Sequence, residues 1–140
     1  MENTKIIKLF LITLFILFSY SCKAQQVQPN ISTEIIGTWI AEDDPNVKWI
    51  FNTNNQVLDY YNNVLEDTYS YSISHQCDSE TDVNTWYLKM IDLEDLSHRC
   101  YELYGANFEN NNTLSMRDMI SGKIFIYNKI QQKLPVYFFI

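Results

Sequence analysis

From Ile35 onward the apolar residues recur with a period of two, and no stretch holds a helical period for long. Alternation of this kind commits a chain to strands with one buried face. Eight candidate strands follow in order: Ile35–Ala41, Val47–Asn52, Gln56–Tyr61, Thr68–Ser74, Trp86–Asp92, Arg99–Tyr104, Thr113–Asp118 and Lys123–Ile130. Thr68 to Ser74 is the cleanest, with Tyr69, Tyr71 and Ile73 on one face and serines on the other. The separators are rich in asparagine, as at Asn54-Asn55, Asn62-Asn63 and Asn107 to Asn112. Asparagine tolerates the left-handed conformation and bonds its own backbone, so it stands in for glycine at tight corners. That matters in a chain with only three glycines. Short strands joined by hairpins at this spacing predict an all-β fold, an up-and-down barrel or a sandwich. An eight-stranded antiparallel barrel removes the exposed edges that a meander would otherwise leave.

The first 34 residues are different. Lys5 and Lys8 precede an uncharged run from Leu9 to Cys22 that includes small residues at its end. This is the n-region, h-region and cleavage site of a secretory signal, and it is shorter than the roughly 20 residues a membrane span needs. Ser19-Tyr20-Ser21-Cys22 resembles a loose lipobox, after which lipid is attached to the cysteine thiol and the chain is cut before it. Ordinary cleavage after Ala24 is the alternative. The expected organisation is therefore a lipoprotein signal peptide over 1–21, a lipidated tether over 22–34 beginning at Cys22, the barrel over 35–130, and an apolar tail over 131–140. Several acyl chains on one residue give stable anchoring. The expected location is the cell envelope, on a membrane through the lipid anchor, with the outer membrane's periplasmic face preferred.

Gly37-Thr38-Trp39 on the first strand matches the G-x-W signature of lipocalins, and the stretch from Ile36 to Ser74 resembles the opening of bacterial lipocalin-like domains in small lipoproteins. Trp86 to Ile130 continues the resemblance more weakly. It implies a lipocalin-like barrel in which the tryptophan of the motif closes the narrow end, with a basic side chain from the last strand packed across it. Lys129 is the candidate for that role, where arginine is usual.

One face per strand places Trp39, Trp49, Phe51, Leu58, Tyr60, Tyr69, Tyr71, Ile73, Leu88, Met90, Tyr101, Leu103, Leu114, Met116, Ile124 and Ile126 inside. Almost none is small, which favours a largely filled core over a large cavity. The competing reading is an aromatic pocket for a small apolar ligand, lined by Trp49, Phe51, Tyr60, Tyr69, Tyr71 and Tyr101.

Cys77 and Cys100 each follow a histidine by two residues, His75 and His98. Two histidines and two cysteines could hold zinc. In an oxidising compartment a disulfide is the stronger expectation. Cys100 falls opposite about Lys89, so the loop carrying Cys77 must fold down beside the barrel to bring the Cα atoms within about 7 Å. That loop contains Asp78-Ser79-Glu80-Thr81-Asp82, which begins like a calcium loop but lacks the glycine and the closing glutamate, and it reads as a solvated acidic loop. Neither a cofactor nor a metal is expected. No nucleophile motif is present, and an enzyme is not expected. A net charge of −7 argues against nucleic acid. Two functions remain: a lipid-anchored module for a small apolar ligand, or a periplasmic protein-interaction module with a filled core whose acidic loops meet a basic partner.

Overall fold

The computed structural model describes residue 28 and residues 30–131. The signal, Cys22 and the 132–140 part of the tail lie outside the described residues. The described residues form ten strands: β1 Gly37–Ala41, β2 Val47–Phe51, β3 Gln56–Tyr61, β4 Val64–Ser74, β5 Gln76–Cys77, β6 Glu80–Thr81, β7 Trp86–Asp92, β8 His98–Ala106, β9 Thr113–Asp118 and β10 Ile124–Lys129. Eight of them close an antiparallel barrel in the order β1-β10-β9-β8-β7-β4-β3-β2, and β5 with β6 forms a separate small hairpin. Each barrel strand pairs with its neighbours along the chain, so the architecture is up-and-down. The asparagine corners do what the sequence suggests. Asn55, Asn62 and Asn63 adopt positive φ, and Asn62-Asn63 makes the two-residue turn between β3 and β4.

Six strands show their predicted phase. Trp39, Trp49, Phe51, Leu88, Met90, Tyr101, Leu103, Leu114 and Met116 are buried, and Tyr69, Tyr71 and Ile73 pack with them. Two strands are shifted by one residue from expectation. In β3 the register sets Asp59 beside Trp49 and Val57 beside Phe51, so Val57 and Asp59 face inward while Leu58 and Tyr60 lie outside. In β10, Phe125 and Tyr127 face inward, and Ile124 and Ile126 are exposed. Both strands carry apolar residues in both phases, and a one-residue slip exchanges the faces completely. The pairing of Trp39 with Lys129 decides β10, because Tyr127 and Phe125 share the inward phase of Lys129.

The described part of the expected tether over 22–34 packs on the barrel. Ile31–Glu34 forms a short helix, α1, and Ile31 and Ile35 are completely buried at one end of the barrel. Gln28 is buried as well. Its amide bonds both the N–H and the carbonyl of Ala106, continuing the hydrogen-bonding pattern past the end of β8. Apolar burial of two isoleucines contributes on the order of 3–5 kcal/mol and outweighs the polar character of the flanking residues.

Candidate functional site

The two barrel ends differ in chemistry. At the plugged end, the Trp39 indole N–H donates to the Ile35 carbonyl at 2.7 Å. The Lys129 ammonium lies 5.1 Å from the Trp39 ring centroid and donates to the Glu34 carbonyl at 2.9 Å. Gly37 has φ +138°, and a Cβ there would come within 2.8 Å of Lys129 Cε. The motif glycine is thus required by both backbone conformation and the lysine that crosses it. Trp86 donates to the Gln28 carbonyl at 2.9 Å, and Asn107 donates to Glu34 Oε2 at 2.6 Å. These bonds fasten α1 as a stopper.

The lumen is filled with rings. Trp49 stacks on Tyr127 with centroids 4.9 Å apart and meets Tyr101 edge-on, and Phe51 meets Tyr71 edge-on at 5.2 Å. Of the six residues expected to line a ligand pocket, Trp49, Phe51, Tyr71 and Tyr101 are in the lumen but packed on other rings. Tyr69 lies near the open end. Tyr60 is on the outer surface, under the Lys48 ammonium, and lines nothing inside.

The open end is where charge collects. Cross-strand pairing sets Trp49, Asp59 and Asp67 in a row on the inward face of β2, β3 and β4. Arg99, Tyr101 and Asp118 approach from β8 and β9. Burial raises the Asp59 pKa to about 6, and the neighbouring Asp67 and Glu66 add to the rise; the Trp49 indole and Arg99 oppose it. The Trp49 N–H is completely buried and has no formed hydrogen bond among the described residues. It adjoins Asp59, whose pKa it lowers. Tyr69 donates to Asp67 Oδ2 at 3.2 Å, and its own pKa is raised, first by burial and then by Asp67. Asp118 has a different task. Its Oδ1 accepts from the backbone of Ile120 and Ser121 at the β9–β10 turn, which lowers its pKa.

Outside this row lies a cleft of about 320 Å³, lined by Leu65–Thr68 on β4 and Asp92–Glu94 at the β7–β8 turn. It carries four carboxylates, Glu66, Asp67, Asp92 and Glu94, beside the half-exposed side chains of Leu65 and Leu93. Asp67 belongs to both the cleft and the inward row. A second cleft, of about 160 Å³ between Glu42, Asp43, Ile124 and Ile126, has two carboxylates.

Cys77 and Cys100 form a disulfide with a Cα separation of 6.0 Å, and Cys100 lies opposite Lys89 as expected. The β5–β6 flap folds down over β7 and buries Tyr87 with the two sulfurs. The zinc reading fails because the thiols are consumed in the bridge and the histidines diverge. His75 stacks on Trp86 at 3.7 Å, whereas His98 pairs with Asp78 at 2.9 Å. Asp78 also accepts from Lys89 at 2.9 Å, and these two partners lower its pKa, Lys89 most. The calcium reading fails at the same residue, since Lys89 occupies the closing position as a cation. Sequence reasoning missed Asp59, Asp67 and Arg99. The available signal was a lone acidic residue inside the apolar strand Gln56–Tyr61.

The sequence matches no family model, and neither a curated protein nor a solved structure matches it.

Proposed function

We propose that the chain is a lipid-anchored, lipocalin-like protein of the bacterial cell envelope that works as an interaction module, taking a basic partner at its acidic open end. The observation that carries this reading is the contrast between a lumen filled by stacked rings and an open, carboxylate-lined cleft at the rim. An apolar ligand in the lumen would first have to break the Trp49–Tyr127 and Phe51–Tyr71 contacts. A basic partner at the rim displaces only water. It meets carboxylates with leucines beside them, which suits a lysine- or arginine-bearing protein surface.

The geometry of anchoring supports the same reading. Gln28 is held at the plugged end, six residues after Cys22, a span of at most about 20 Å. A lipid on Cys22 keeps the plugged end near the bilayer and leaves the acidic rim pointing away from it. The glycine, tryptophan and lysine arrangement at Gly37, Trp39 and Lys129 supports the lipocalin-like assignment.

Charge reversal tests the rim. Glu66→Lys combined with Glu94→Lys is expected to weaken binding of a lysine- and leucine-containing peptide at least tenfold at low salt. Unchanged binding would remove the rim from the account. Cys22→Ala is expected to move the protein from the membrane to the soluble periplasmic fraction, and retention in the membrane would refute lipid anchoring.

A further inference from the structure

The geometry points to a specific anchor subsite within that rim: the Asp59–Asp67 pair receives the ammonium of one lysine side chain from the protein partner, and the arriving cation holds Asp59 ionised beside the buried Trp49 N–H. This inference rests on the rim reading and names the group that the rim selects.

Three observations carry it. Asp59 and Asp67 are directly paired across β3 and β4, both face inward, and both are only half-buried, so a side chain entering from the rim can reach them. Asp67 also lines the outer cleft, which makes the cleft and the pair continuous. The third is the indole of Trp49, a residue only 7% exposed, whose N–H adjoins Asp59 and has no hydrogen bond among the described residues. A buried donor without an acceptor costs on the order of 1–3 kcal/mol. An ionised Asp59 is the stronger acceptor for that N–H, and the indole accordingly lowers its pKa, but two adjacent carboxylates resist carrying two charges. A monovalent cation between them resolves both conflicts at once.

The groups facing Asp59 set the polarity of the effect. From β4 come Glu66, Asp67 and Tyr69, from β8 Arg99 and Tyr101, and from β10 Tyr127. Arg99 is the one cation among these, and it is exposed and engaged with Tyr101. Near pH 6 the free site holds Asp59 about half protonated. Binding a lysine therefore ionises Asp59 and releases its proton to solvent, and each tenfold of affinity gained corresponds to one unit of downward shift.

Calorimetric titration of the full chain in uncharged detergent micelles, with acetyl-Leu-Lys-Leu-Lys-amide as probe, tests the subsite. Affinity is expected to rise about tenfold from pH 5 to pH 7.5. At pH 5.5 the heat should vary with the ionisation enthalpy of the buffer, reporting proton release. The Trp49 indole resonance should move as the peptide binds. Asp59→Asn should abolish the buffer dependence and flatten the pH profile; Asp67→Asn, with its fold checked by circular dichroism, should weaken binding while keeping Asp59 titratable. Binding by Asp59→Asn with the wild-type pH profile and buffer dependence overturns the subsite and leaves the rim reading standing. Spermidine binding as tightly as the peptide overturns the assignment to a protein-borne lysine. Absence of peptide binding altogether overturns both the subsite and the rim.

Discussion

Lys129 and Trp39 face each other across the β1–β10 seam, with the ammonium 5.1 Å from the ring centroid and held there by the Glu34 carbonyl. The contact joins the first and last barrel strands to the helix that plugs them. It also explains why Gly37 precedes the tryptophan by two residues, since the lysine stem passes over the space a Cβ would take.

Removing either part of that arrangement should loosen the plugged end. Lys129→Ala loses a cation–π contact and a charge-assisted hydrogen bond, with an expected cost of about 1–3 kcal/mol. Gly37→Ala forces a side chain into a positive-φ position and against Lys129 Cε, with a cost of about 1–3 kcal/mol. The two changes share one contact, so the double variant should lose less than both single losses together. Urea unfolding of the four proteins measures this. Additive losses would separate Gly37 from Lys129.

The Cys77–Cys100 bridge joins residues 23 apart and holds the β5–β6 flap on the outer face of β7. Reduction, or Cys77→Ala with Cys100→Ala, is expected to lower stability by about 3–4 kcal/mol in the chain-entropy picture. Limited proteolysis should then cut first within residues 75–85. Protease resistance there after complete reduction would mean that Asp78, through Lys89 and His98, holds the flap without the bridge.

Much of this architecture is visible in the alternation of the sequence, and the parts that are not have a common cause. The strands Gln56–Tyr61, Trp86–Asp92 and Thr113–Asp118 fall where periodicity places them. Yet Leu58, Tyr60, Ile124 and Ile126 point outward, because β3 and β10 offer apolar residues to either face and only pairing chooses between them. That same slip hides Asp59, which reads as a surface residue until its register with Trp49 is known. Ile31 shows a different limit: four residues carry too little period to announce a helix, and its burial depends on the barrel end being there to receive it. The disulfide was legible from cysteine count and the oxidising compartment that the signal-like N-terminus leads one to expect, whereas the cleft was not, since it joins a β4 segment to a turn some two dozen residues later.

Asp59 should also mark the pH dependence of stability. Its folded pKa of about 6 lies above the ordinary carboxylate value of 3.8, so between those values the folded state holds a proton that the unfolded state has lost. Its contribution is therefore full below about pH 4, declines as pH rises toward 6, and levels off beyond. After allowance for solvent screening the decline is on the order of 1–2 kcal/mol. The lowered pKa of Asp118 acts in the opposite sense, losing stability as pH falls through the carboxylate range. Asp59→Asn should remove the decline between pH 4 and pH 6 in urea unfolding series. An unchanged slope would place the proton elsewhere.

On the proposed function the barrel works through its rim while its own rings fill the lumen. Amide and indole chemical-shift mapping during titration with acetyl-Leu-Lys-Leu-Lys-amide, and separately with a panel of fatty acids, distinguishes rim from lumen. The peptide is expected to shift residues Leu65–Thr68, Asp59 and Asp92–Glu94, and the fatty acids to leave Phe51, Tyr71 and Leu88 unmoved. Saturable shifts at those lumen residues with a fatty acid, and none at the rim with the peptide, would contradict the proposed function.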